Sequence, residues 1–199
     1  MCAETTRALA GFADPVLDAQ RAFRSVLDAM AHPGRVIEVA TPETAPYPLH
    51  GAVASLCLTL VDLETTVWLD ATAGTAEARE YLQFHCGCRL VDAPGAARFA
   101  VIGDPAVMPA LSRFDPGTDE SPERSATLFV QVASLREGHG RRLAGPGIAS
   151  EVRLEVTGLP AGFWHGLRDN HALFPRGVDV LLAAGRHVAA LPRTTSVAD

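Results

Sequence analysis

The sequence of 199 residues contains no lysine; all 17 of its basic residues are arginine. That absence removes two chemistries at once. A pyridoxal-phosphate enzyme builds its internal Schiff base on a lysine amine, and a Walker A loop sets a lysine against the transferring phosphates. Aromatic residues make up only 6% of the chain, and the most apolar stretch, Ala52 to Val61, falls far short of the roughly 20 residues that span a bilayer. Positive charge is also scarce. The net charge is −6 and no basic run exceeds the pair Arg141-Arg142, which argues against a nucleic-acid backbone as partner. The N-terminus, Met1-Cys2-Ala3-Glu4, lacks the apolar core of an export signal, so a cytoplasmic chain with reduced thiols at Cys2, Cys57, Cys86 and Cys88 is expected.

What is present is a composition suited to one compact domain, 48% hydrophobic and 20% charged. A chain of this length buries roughly 70% of its unfolded surface, so neither metal nor disulfide is needed for stability. Residues 1–11 read as a loosely held leader, and Asp14-Pro15 supplies an N-cap with proline at the first helical position. Val16, Ala19, Phe23, Val26, Leu27 and Met30 then form one apolar stripe at helical spacing, stopped by His32-Pro33-Gly34. Further helices are predicted over 51–61, 75–84 and 162–171, with a short one opened by Asp104-Pro105; strands are predicted over 35–40, 66–69, 98–102, 178–182 and 187–191. The β-branched stretches 126–133 and 152–157 read as a long hairpin around the glycine-rich loop 138–147. This order predicts a single α/β domain, a mixed sheet flanked by helices, with residues 193–199 as a tail.

Chemistry-bearing residues are dispersed. His85-Cys86-Gly87-Cys88 crowds soft ligands together, but no second Cys or His pair follows at ligand spacing, so no metal is expected. His85, ending a helix, suits a terminal cap as well as a catalytic role. No Gly-x-Ser-x-Gly elbow occurs among the sequence's glycines and serines, and no nucleophile stands beside a base. The glycine-rich loop with Arg141-Arg142 suits either an anion cradle or a polar hairpin tip. Phe174-Pro175-Arg176-Gly177-Val178-Asp179 and Leu191-Pro192-Arg193-Thr194-Thr195 set Arg176, Asp179, Arg193, Thr194 and Thr195 at strand ends, where sites of α/β folds assemble. Two uses are open for these residues: grip on an anionic ligand, or a turn or subunit contact.

These last two signatures, together with Gly11-Phe12-Ala13-Asp14-Pro15-Val16, Phe23-Arg24, Asp28-Ala29-Met30, Phe84-His85, Gly117-Thr118, Pro122-Glu123, Ser125-Ala126-Thr127 and Gly145-Pro146-Gly147-Ile148, resemble the PhnH family nearly end to end. PhnH is the H subunit of the bacterial carbon–phosphorus lyase system for alkylphosphonates. One departure is Cys86, where the family pattern has threonine. The resemblance implies a fold similar to the large domain of pyridoxal-phosphate-dependent transferases without the cofactor. It also implies a homodimer when isolated, and membership of a multisubunit core complex whose step displaces adenine from ATP with the phosphonate, giving ribose 1-alkylphosphonate 5-triphosphate. It implies no catalytic residue for this subunit. A stand-alone anion- or nucleotide-binding module of phosphonate metabolism is the alternative that these residues leave open.

Overall fold

The computed structural model describes residues 10–198. Its helices are α1 (Pro15–Ala31), α2 (Gly51–Leu60), α3 (Ala76–Cys86) and α4 (Phe163–Ala172). Its strands are β1 (Ile37–Glu38), β2 (Thr66–Leu69), β3 (Arg89–Leu90), β4 (Phe99–Ile102), β5 (Thr127–Gln131), β6 (Ser134–Ala144), β7 (Val152–Thr157), β8 (Asp179–Ala184), β9 (His187–Leu191) and β10 (Ser196–Ala198). Seven strands form a mixed sheet in the order β1-β9-β8-β5-β4-β2-β3, and three form a smaller one in the order β10-β6-β7. Within the large sheet β3, β2, β4, β5 and β8 run parallel, while β9 runs antiparallel to both its neighbours. No helix among the described residues is long and apolar enough to cross a membrane.

Alternation along the strands divides the apolar residues between two cores. Val101, Phe129, Leu181 and Ala183 face α1, α2 and α3. Ile102, Leu128, Val130, Val180 and Leu182 face the opposite way, against Leu143 and Leu154 of the small sheet and Phe163 and Leu167 of α4. The near-continuous apolar runs of β5 and β8 follow from burial on both faces.

Local signals explain the first helix well. Asp14 accepts from the backbone N–H groups of Val16 and Leu17 at 3.1 and 2.9 Å, as its position before Pro15 predicts. Its apolar stripe is only half used, however. Ala22, Val26 and Ala29 are buried, whereas Val16 remains 77% exposed, Phe23 44% and Leu27 52%.

Two expectations are corrected. The predicted hairpin joins the wrong strands: β5 enters the large sheet between β4 and β8, and the partner of β7 is β6, built from residues read as loop. The pattern misleads because β5 and β6 are separated by only Val132 and Ala133, so one β-rich stretch serves two sheets. Residues 193–199 are also no tail throughout, because β10 pairs with β6. The proposed leader falls outside the described residues apart from Ala10 and Gly11.

The turn after β6 is a packing hub. Gly145 approaches the backbone so closely that an added Cβ would stand 2.7 Å from the Thr194 carbonyl oxygen. Gly147, at φ +83°, would place one 2.0 Å from the Ala31 carbonyl. Gly147→Ala is therefore expected to cost more than about 2 kcal/mol, combining a left-handed backbone with a clash against main chain. Thermal melting of the variant checks this, and an unchanged Tm would contradict the packing described.

Candidate functional site

The parallel strands define two edges, and the sequence-predicted residues gather at the less expected one. Ligands of open α/β sheets bind beyond the carboxyl ends of the strands. Here that edge is occupied by the protein's own groups. Asp70, 4% exposed after β2, accepts from the N–H groups of Ala73 (2.6 Å), Gly103 (2.9 Å) and Asp104 (3.0 Å). Gln131, ending β5, accepts from His50 N at 2.5 Å and donates to the Pro48 carbonyl at 3.3 Å.

At the opposite edge β8 begins and β9, running antiparallel, ends. Asp179 and Arg193 thus meet where two strands of opposite direction share a border. Arg193 donates from its backbone N to Asp179 Oδ1 at 2.8 Å, from Nε to the same oxygen at 3.2 Å, and from Nη2 to Oδ2 at 2.5 Å. Its Nη1 donates to the Pro122 carbonyl at 2.6 Å, and Nη2 also donates to Ser125 Oγ at 2.6 Å. The two charged side chains are only 15% and 14% exposed. Both are committed to the fold.

The partners of this cluster lie in the segment 115–125, which other groups also hold. Arg176 Nε stands 3.2 Å from Asp119 Oδ1, an ion pair without hydrogen-bond alignment. Gly177 N donates to the Pro116 carbonyl at 2.8 Å, and Arg98 Nη2 to the Glu123 carbonyl at 3.2 Å. Asn170 fixes the strand between these ties, accepting from Val178 N at 2.8 Å and donating to Val178 O at 2.9 Å. Thr195 is 1% exposed and its hydroxyl has no hydrogen-bond partner among the described residues. Thr194 contributes the carbonyl against which Gly145 packs.

The segment so held forms one wall of an open groove of about 700 Å³. Asp115, Gly117, Thr118 and Arg124 line that wall; Asp62, Glu64, Thr65, Arg89 and Arg98 line the other sides. Arg98 Nη1 is buried there with no hydrogen-bond partner among the described residues. The groove arginines were missed in the sequence because each stands alone in it, joined only by the parallel register that sets Thr66 beside Arg89 and the Arg98–Phe99 end of β4. For Arg98 and Arg124 the available signal was proximity to predicted strand starts; β3, which carries Arg89, was not predicted.

Other candidates lie elsewhere. His85, on the last turn of α3, stacks 4.5 Å from the Tyr81 ring and 4.9 Å from Phe84, close under Gly11. The glycine-rich stretch once open as an anion cradle is strand with an irregular register between Glu137 and Arg141, and Gly140 packs against the backbone of Leu154 and Glu155. Cys57, Cys86 and Cys88 are buried in the helix-side core. Burial, reinforced by the neighbouring Cys88 and by Asp62, pushes the Cys86 thiol up to about 12; burial also raises Cys57 and Cys88. These thiols are neither nucleophiles nor ready metal ligands, and among the described residues no His, Cys, Asp and Glu group is arranged to hold a metal ion.

A two-core α/β domain with a polar groove at the amino edge of its parallel strands is the class of protein this defines. The chain belongs to the PhnH family: the model for bacterial phosphonate metabolism protein PhnH matches residues 10–198. It is 39% identical over 186 residues to the alpha-D-ribose 1-methylphosphonate 5-triphosphate synthase subunit PhnH of Rhizobium meliloti, covering 94% of this chain and 93% of that one. It is 35% identical over 178 residues to the putative C-P lyase subunit protein HtxG of Stutzerimonas stutzeri, covering 89% and 85%.

Two outcomes follow from this chemistry. Arg193→Ala leaves the Asp179 carboxylate buried without its cation, so a loss of about 3–5 kcal/mol is expected in denaturant unfolding; a loss below 1 kcal/mol would contradict the clamp. The raised Cys86 pKa stabilises the fold fully below the ordinary thiol value of 9.0, and that contribution is lost as pH climbs toward about 12. Alkylation of Cys86, followed by peptide mass spectrometry, should therefore stay slow at pH 9 in the native protein and become fast in denaturant.

Proposed function

We propose that this chain is a non-autonomous subunit of the carbon–phosphorus lyase core complex in organic phosphonate catabolism. It supports the step in which an alkylphosphonate displaces adenine from ATP to give ribose 1-alkylphosphonate 5-triphosphate. The observation that carries this reading is the near full-length match to two relatives that are each named as subunits, one of the synthase and one of a C-P lyase. The geometry supports it. Arg193 and Asp179 are consumed by each other, Thr195 is buried, and Arg176 is paired to a loop, so these residues act by shaping the groove wall rather than by chemistry. The outer half of the α1 stripe, at Val16, Phe23 and Leu27, is an apolar surface that suits contact with another subunit. Phe84, against which the His85 ring packs edge-on, adds a second exposed apolar side chain near the end of α3.

The same reading places the chain in the cytoplasm and makes the isolated chain a homodimer. The seven-stranded sheet with its single antiparallel strand supports a plan like the large domain of pyridoxal-phosphate-dependent transferases, whose cofactor this lysine-free chain has no amine to bind. A second reading is favoured by the unpartnered Arg98 Nη1 beside Arg89 and Arg124: the groove takes an anionic ligand on its own.

Co-expression with the other core subunits, followed by mass and stoichiometry of the eluted species, separates the two. The subunit reading predicts a stable complex whose recovery falls about tenfold, equivalent to 1.4 kcal/mol, in Phe23→Glu with no change in the chain's own melting. If the chain elutes without partners and ATP or methylphosphonate binds saturably in a manner abolished by Arg124→Glu, the second reading replaces the first.

A further inference from the structure

We propose that the free edge of β7 is a self-complementary interface, at which a second copy of this chain adds its own β7 antiparallel. The inference deepens the homodimer reading above and rests on it. In the small sheet, β10 covers one edge of β6 and β7 covers the other, which leaves the outer edge of β7 without a strand partner among the described residues. Among the described residues no backbone hydrogen bond joins residues 152–156 to any element but β6. Exposed edges of this kind are sites of strand addition unless something blocks them.

The sequence of β7 selects the occupant and its register. Val152, Leu154 and Val156 face the core beneath the sheet, whereas Arg153 and Glu155 are exposed on the other face. In a two-fold antiparallel pair centred on Leu154, residue 153 of each copy stands opposite residue 155 of the other. Arg153 then meets Glu155 twice, and Val152 meets Val156 twice on the core face. Cross-strand pairs of opposite charge and of β-branched residues are the favourable ones.

Neighbouring registers are penalised by the same residues. A slip of two residues in the summed register toward the amino end sets Arg153 against Arg153 and Glu151 against Glu155. A slip the other way sets Glu155 against Glu155. Odd slips would turn the apolar face outward. The charge pattern of β7 therefore admits one full-length self-pairing and opposes the alternatives on either side. Within the chain Arg153 lies 3.8 Å from Glu151 and its Nη1 donates to the Gly140 carbonyl of β6 at 3.4 Å; the latter contact is exposed, and pairing with Glu155 of the second copy replaces it.

The test is a charge-swap cycle on the full chain, read by sedimentation equilibrium at low ionic strength. Wild type should weigh twice the 21.0 kDa chain mass. Arg153→Glu and Glu155→Arg each place like charges opposite one another twice, so each should weaken the dimer at least about tenfold while leaving circular dichroism and melting of the monomer unchanged. The double variant Arg153→Glu/Glu155→Arg restores both pairs and should restore the dimer. Amide hydrogen exchange at 152–156 should slow as concentration rises. A dimer indifferent to all three variants, with no change in exchange at β7, would overturn this interface while leaving the homodimer reading intact. A wild-type chain still monomeric at about 100 µM would overturn both.

Discussion

Arg193 and Asp179 form the contact on which the described site depends. Two charges at about 85% burial are costly to desolvate, and only dense hydrogen bonding offsets that cost. Here one carboxylate receives three bonds from one residue, and the remaining guanidinium donors reach Pro122 and Ser125. A lysine could not replace this arginine, because a single ammonium cannot address a carboxylate, a carbonyl and a hydroxyl along fixed planar directions. The segment 115–125 has little apolar content to hold it down and stays in place through such ties. The groove wall, the start of β8 and the end of β9 therefore share one electrostatic anchor.

The division of labour between the two sheet edges follows from that anchor and from its counterpart. Asp70 and Gln131 knit the carboxyl edge shut with bonds to backbone groups, while the amino edge is propped open by the clamped segment. The usual rule for α/β sheets concerns helix starts and strand dipoles at the carboxyl edge. Buried carboxylate and amide side chains can occupy that space, and the remaining opening then lies at the other end of the strands.

Much of the fold was legible because its signals are local. The capped start of α1 at Asp14-Pro15, the Thr75 cap of α3 and the glycine at its end in a left-handed conformation are each fixed within a few residues. The alternation of helix and strand through β5 likewise follows from periodicity. Pairing was not legible where it depends on distant partners: β5 and β6 look like one strand, and only the tertiary structure assigns them to different sheets. The motif residues Arg176, Asp179 and Arg193 were singled out as a group, but their sequence positions carry no sign that Pro122 and Ser125 would take up the Arg193 guanidinium or that Asp119 would pair with Arg176. Arg89 and Arg98 reach one groove through parallel register and Arg124 through the clamped segment, neither of which a short-range pattern encodes.

The strand order bears on how the chain is made. β8 and β9 fill the space between β1 and β5, although they are synthesised after both. Until they emerge, β1 has no neighbour and β5 has an open side, so both apolar cores lack a centre. A ribosome adding residues at the usual pace holds the chain in that state for seconds. The nascent protein thus keeps the edges of β1 and β5 open until β8 and β9 emerge, and closure of the sheet coincides with arrival of the same segment that brings Arg193 to Asp179.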